Sequence, residues 1–197
     1  FGSSDLGSIH SRTKVTWHHQ FVAMTTHKVK FTVKLAPEKP SQSFTIAVHE
    51  DWAPLGASRF MDLVMDSNFD EGRFYRVVPN FMAQFGIAAD PAKYSKWGSS
   101  LIKDDPVKES NTRGRISFAM RGPDTRSCQV FINFGDNSNL DSEGFAPFGE
   151  VIEGMDVVDG IFSGYGDEPY RQPIKEQGNA CLDRYPQLSF IEKVEKL

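Results

Sequence analysis

The chain is 197 residues long, enough to bury one full hydrophobic core, and its mixed composition excludes low complexity as its main character. A net charge of -4 with both signs interspersed argues against a broad surface for nucleic acid or anionic membrane, and no run approaches the roughly 18 apolar residues of a spanning helix. Two cysteines, Cys128 and Cys181, are too few for a disulfide scaffold or a thiolate metal centre, and no N-x-[ST] sequon occurs.

Residues 1–24 are polar and without a period, opening on FGSSDLGS, and read as an extension left by a trimmed precursor or a cloning scar. A cleaved targeting segment fits that reading, so the chain is expected to be soluble with its compartment unassigned. His18 and His19 stand side by side there, but no partner ligands lie at a useful spacing, and no metal is assigned. Residues 25–197 read as one domain. In KVKFTVKL, Val29, Phe31, Val33 and Leu35 alternate with polar residues, and in SFTIAVHE so do Phe44, Ile46 and Val48, which predicts two half-buried strands joined by the turn-rich APEKPSQ.

APLGASRFMDLVMDSNF follows as a predicted helix, with Pro54 in its first turn and Leu55, Phe60, Leu63 and Val64 near one face. RFYRVV and FMAQFG read as a strand pair turning at Pro79-Asn80, then a long loop runs from Ile87 to Gly114. RISFAM and CQVFINF are two more strands about the polar turn RGPDTRS, FAPFGEVI another, and LSFIEKVEKL a closing strand. Between the last two, EGMDVVDGIF reads as a short amphipathic helix with Met155, Val158 and Ile161 on one side and Gly164 as its stop. Seven or eight short strands, two helices and no βαβ rhythm predict an antiparallel barrel or sandwich.

Conventional catalytic machinery does not assemble. All five histidines lie at or before residue 49, which disfavours a triad, a His-carboxylate pair or a histidine metal site. Cys128 has no nearby base, and a buried core thiol is the better reading. Asp136, Asp141 and Glu143 in DNSNLDSEG superficially resemble a calcium loop, but Leu140 sits where an oxygen ligand is required. NTRGRISF lacks the lysine of a phosphate-binding loop. What remains is Arg76, a permanent cation placed in an apolar strand pair beside Gln84, where it needs acceptors or a route to water.

FYRVVPNFMAQFG, ISFAMRGPDTRSCQVFI and GFAPFGEVIEGMDVVD resemble, in order and spacing, the signature segments of the cyclophilins, the cyclosporin-binding peptidyl-prolyl isomerases. The likeness runs over about residues 28–197, and its first segment is the most specific. It implies a closed eight-stranded antiparallel β-barrel capped by two α-helices, with a proline site on an outer face. It implies a cofactor-free rotamase acting on proline-containing peptides and partly folded proteins, with monomer the default state. Position by position, Arg76 matches the catalytic arginine, and Phe81, Met82 and Phe131 match walls of the proline pocket. Gln84, Ala119 and Gln129 match contacts to the peptide backbone, and Leu140 matches the apolar rim. Three matched positions depart from the common pattern: Asn139 stands for the frequent rim tryptophan, Phe145 for the pocket histidine after a one-residue shift, and Met120 for an asparagine. These departures resemble the bacterial-type branch, and without an indole N–H cyclosporin is expected to bind with reduced affinity. The alternative function, of the same fold, is a proline-peptide-binding chaperone or scaffold with little turnover. A third reading, an unrelated barrel holding a small ligand, requires an open interior instead of one filled with phenylalanine.

Overall fold

The computed structural model describes residues 25–169 and 171–197, so the extension with His18 and His19 lies outside the described residues. Eight strands form one antiparallel sheet: β1 (Thr26–Lys34), β2 (Gln42–His49), β3 (Arg76–Val78), β4 (Met82–Phe85), β5 (Arg115–Phe118), β6 (Val130–Asn133), β7 (Pro147–Glu153) and β8 (Phe190–Lys196). Their order across the sheet is β3-β4-β6-β5-β7-β2-β1-β8. Register shifts between Thr32 and Val33, Thr45 and Ile46, and Ile116 and Ser117 bend the strands, as bulges do, and help the sheet to curl.

The expected closed barrel is not formed: the sheet is an open, strongly curled half-barrel with β3 and β8 as its two edges. No ladder joins those edges. Closure fails because β3 is only three residues long and its outward amide is already taken: Val77 N–H donates to the Gly166 carbonyl at 3.0 Å. Just ahead of β3, a single bridge pairs Arg73 with Phe190, and Val194 N–H of β8 donates to the Asp70 carboxylate at 3.0 Å. Both edges are therefore covered by loops and side chains, which removes the hazard of bare strand edges.

Alternation along the strands sends Phe31, Phe44, Ile46, Ala83, Phe85, Val130, Ile132 and Phe148 to the concave side, where α1 (Pro54–Met65) packs Phe60, Leu63 and Val64 onto them. Leu55, expected on that buried face, is instead exposed. The interior is a ring cluster, with Phe31 stacked on Phe44 at 4.9 Å and Phe60 tilted against Phe148 at 5.0 Å. It is filled, which removes the reading of a ligand-holding barrel. The expected second helix is α3 (Met155–Asp159), shorter than its pattern, with Gly160 rather than Gly164 at its end. Beyond the two helices expected, the described residues hold α2 (Pro91–Gly98), inside the segment read as loop, and α4 (Arg171–Gln177). Asp90 and Pro91 give α2 its start, the Asp90 carboxylate accepting from Ala92 N–H.

Candidate functional site

The outer, convex face of the sheet carries the other half of the alternation. Arg76 pairs with Gln84 across β3 and β4, and Gln84 with Phe131 across β4 and β6, so these three side chains form one row. Met82, two residues before Gln84, shares its face. Met82, Phe131 and Leu140 are buried together, flanked by Val78, Phe81, Ala119 and Phe145, in an apolar cluster separate from the main core. The β3–β4 turn places Phe81 here: Asn80 adopts φ 62°, and Phe81 N–H closes the turn onto the Val78 carbonyl. Leu140 arrives on a short 3₁₀ helix, Ser138–Glu143, whose Asp141 carboxylate accepts from the Asn111 backbone and side-chain N–H groups at 2.9 and 2.7 Å and from the Ser110 hydroxyl. Burial alone raises the Asp141 pKa, yet these donors outweigh it and hold the carboxyl below its usual range. Its oxygens are engaged in fixing the loop.

A cavity of about 520 Å³ opens over this cluster, and ten of the eleven sequence-derived residues line it: Arg76, Phe81, Met82, Gln84, Ala119, Met120, Gln129, Phe131, Leu140 and Phe145. Asn139 does not; it is exposed beside Leu140. Phe131 and Phe145 meet edge-to-face at 5.8 Å. The cavity also reaches residues that sequence reasoning missed, among them Tyr94, Leu101, Arg121, Ser127, Arg171 and Lys175.

Arg76 stands at the boundary between apolar and polar walls, its guanidinium carbon 5.9 Å from the Phe81 ring centroid. Its donors are poorly used. Nη1 donates to Gln84 Oε1 at a long 3.4 Å, and Nε lies 3.0 Å from Asp167 Oδ1, an ion pair in which this buried N–H has no aligned hydrogen-bond acceptor. Asp167 is shared, since Arg171 Nη1 lies 2.5 Å from the same oxygen. The loop that delivers Asp167 turns at Gly166, whose φ of +55° favours glycine and whose carbonyl is the one bonded to β3. On the other side, Gln84 Nε2 donates to Gln129 Oε1 at 3.3 Å, and the Tyr75 hydroxyl lies 2.9 Å from that same oxygen. Arg76, Gln84, Gln129 and Tyr75 thus form a polar chain from cavity to core. Burial drives the Tyr75 pKa well above the ordinary tyrosine value, so this hydroxyl is a fixed proton donor. Cys128 sits fully buried in the main core with its thiol pushed up by burial to about 11, which makes it a poor nucleophile.

A family model described as cyclophilin type peptidyl-prolyl cis-trans isomerase/CLD matches residues 21–177. The chain is 35% identical over 141 residues to a peptidyl-prolyl cis-trans isomerase of Acinetobacter baylyi, covering 66% of this chain and 75% of that one. It is 32% identical over 143 residues to peptidyl-prolyl cis-trans isomerase B of Saccharomyces cerevisiae, covering 69% of each. The solved cyclophilin type peptidyl-prolyl cis-trans isomerase of Cryptosporidium parvum shares the fold, with a TM-score of 0.64 at 18% identity over 88% of this chain and 98% of that one. No helix among the described residues is long and apolar enough to cross a membrane. The chain belongs to the cyclophilin-type peptidyl-prolyl cis-trans isomerase family.

Proposed function

We propose that the protein accelerates cis-trans rotation of X-Pro bonds in peptides and folding chains, without covalent chemistry, by using Arg76 to stabilise the twisted amide. Amide resonance holds an X-Pro bond planar behind a barrier of roughly 20 kcal/mol, so spontaneous exchange takes on the order of tens to hundreds of seconds. Reaching on the order of a thousand events per second means removing about 7 kcal/mol. When the C–N bond twists, resonance is lost and the prolyl nitrogen gains a lone pair, an acceptor absent from either planar isomer. A guanidinium beside that nitrogen binds the twisted form better than the ground states, which is the differential interaction catalysis requires. Arginine suits the role because it stays charged at any working pH and offers a rigid fork of donors.

The observation that carries this reading is the placement of an under-used guanidinium at the lip of an apolar socket. Phe81, Met82, Phe131 and Leu140 would grip the pyrrolidine ring, with Phe145 closing the far wall. Gln84 would steady Arg76, while Gln129 and the backbone at Ala119 and Met120 would hold the peptide. Asn139, exposed at the rim, offers no indole N–H, so cyclosporin should bind weakly; this departure and Phe145 are our grounds for placing the chain in the bacterial-type branch.

The Asp167 carboxylate 3.0 Å from Nε favours a second reading. It partly neutralises the cation and fits a peptide-binding chaperone or scaffold with little turnover. Rate separates the two. In an exchange measurement on a short proline peptide, Arg76→Ala should lose about 100-fold or more in kcat/KM, of the size seen when one transition-state donor is removed. Its peptide affinity should change only modestly. Equal, near-background rates for both proteins would overturn the enzyme reading, and retained peptide binding beside them would favour the binding module. Adding cyclosporin to the same assay tests the rim.

A further inference from the structure

The proline reading uses only half of the cavity. The remaining wall is built by α2, the turn after β5 and α4, and its charge is one-sided. Although the chain has 26 acidic against 22 basic residues, among the described residues the cavity is lined by four cations, Arg76, Arg121, Arg171 and Lys175, and by no carboxylate. Arg171 and Lys175 lie four residues apart on α4 and so project from neighbouring positions on one helical face. That helix is firmly seated: Ile174 is buried with Tyr75, Ile87, Leu182 and Leu188. Among the described residues Asp167 is the one carboxylate ion-paired to any of Arg121, Arg171 and Lys175, and it is already shared with Arg76. Lys175 feels the crowding: burial lowers its pKa first, and the positive charges of Arg121 and Arg171 lower it further. Like charges held together on a concave wall with low-dielectric flanks focus a positive potential into the groove.

We propose that this half of the cavity receives an anionic side chain lying within a few residues of the substrate proline, so that the protein selects acidic proline-containing segments. The anion is a carboxylate of Asp or Glu or the phosphate of a modified serine or threonine, both of which arginine and lysine recognise by charge-assisted hydrogen bonds. This inference rests on the proline-peptide reading of the adjacent socket.

The test is a set of proline peptides identical except at one position, two or three residues from the proline on either side, filled by Glu, Gln, Lys or phosphoserine. Affinity is read by calorimetry or amide shifts, independently of turnover. The Glu peptide should bind about fivefold tighter than the Gln peptide in at least one placement, and the Lys peptide more weakly than either. The gap should shrink as salt is raised. In a protein carrying Arg121→Glu and Lys175→Glu together, with its fold checked by a cooperative melt, the order of Glu and Lys should reverse. Phosphoserine binding tighter than Glu names phosphate as the anion, and equal or weaker binding names the carboxylate. Equal affinities for Glu, Gln and Lys at every placement overturn the proposal while leaving the proline reading intact. Failure of all peptides to bind, the neutral one included, overturns the proline reading and this inference with it.

Discussion

A guanidinium among Phe and Met side chains persists only if something fixes it, and at Arg76 that work is divided between Asp167 and the chain through Gln84 and Gln129 to Tyr75. Tyr75 is the buried end of the chain, its hydroxyl also lying 3.2 Å from the Phe85 carbonyl. Tyr75→Phe keeps the ring and removes that oxygen. The variant should lose about 1 kcal/mol of stability, the usual net worth of a buried neutral hydrogen bond. Turnover should fall several-fold with peptide affinity nearly intact, because Gln129 and Gln84 lose a fixed point rather than a contact to substrate. Alkaline titration gives an independent signature. Burial raises the folded-state Tyr75 pKa, so the unfolded chain gives up this proton first, near pH 10, and native stability falls as pH rises past that value. Tyr75→Phe should lack that part of the decline in urea melts taken between neutral pH and about pH 11; parallel declines would remove Tyr75 from the chain. Arg76 and Gln84 were legible in the sequence because polar side chains in an apolar strand pair ask for a reason, whereas Gln129 was reached only through the family resemblance. Tyr75 was not, since a tyrosine there reads as one more ring, and Asp167, Arg171 and Lys175 sit in a stretch whose pattern has no clean period.

At the scale of elements, α1 shows why a sequence pattern can place a helix and still miss what holds it. Its N-cap, Ala53, has no side chain with which to bond the first turn. The cap comes from a loop about fifty residues on: the Asp105 carboxylate accepts from Leu55 N–H at 3.1 Å and Gly56 N–H at 2.8 Å. Arg126 balances that charge, its Nη1 3.1 Å from the same carboxylate with both side chains only 2% exposed, while its other donors meet the Lys103 carbonyl and lie near Asp104. Because Arg126 ends the segment RGPDTR next to Ser127 and Cys128, this pair ties the core-covering helix to the segment that carries Gln129 and leads into β6 with Phe131. Asp105→Ala should cost about 3 kcal/mol, the range for stranding one member of a buried ion pair, with a lower urea midpoint and an unchanged slope. Asp105→Asn, which keeps an acceptor for the helix amides but drops the charge, should recover part of the loss. A loss below about 1 kcal/mol for the alanine variant would show Asp104 to be a sufficient partner. No local rule could reveal this contact, since neither loop carries a periodic pattern and the pairing exists only after the sheet has curled.

For the molecule as a whole, strand number and alternation were legible, while the manner of closure was not. Alternation tells which side chains face inward, but whether two edges meet depends on what competes for their amides, and here the Gly166 carbonyl wins β3. The same topology makes the C-terminal strand indispensable. β8 is the partner of β1, the first described strand, covering its edge from Val29 to Lys34. With the two residues ahead of it, the strand also brings in buried Leu188, Ile191 and Val194, and the Ser189 hydroxyl lies 2.7 Å from the Leu35 carbonyl and 2.9 Å from Phe162 N. Burying three such apolar side chains is worth about 6 kcal/mol, a large share of the 5 to 15 kcal/mol by which domains are ordinarily stable. Removing residues 188–197 should therefore abolish the cooperative urea transition and the near-ultraviolet dichroism of the ring cluster, rather than fray one edge. The freed β1 edge, carrying Phe31 and Val33 beside it, should drive the truncated chain into aggregates. Ile191→Ala, which leaves the backbone pairing in place, should instead give a soluble protein with a single transition, lowered by about 3 kcal/mol. A truncated chain that still melted cooperatively would mean that the sheet is held by β3 to β7 with α1 alone.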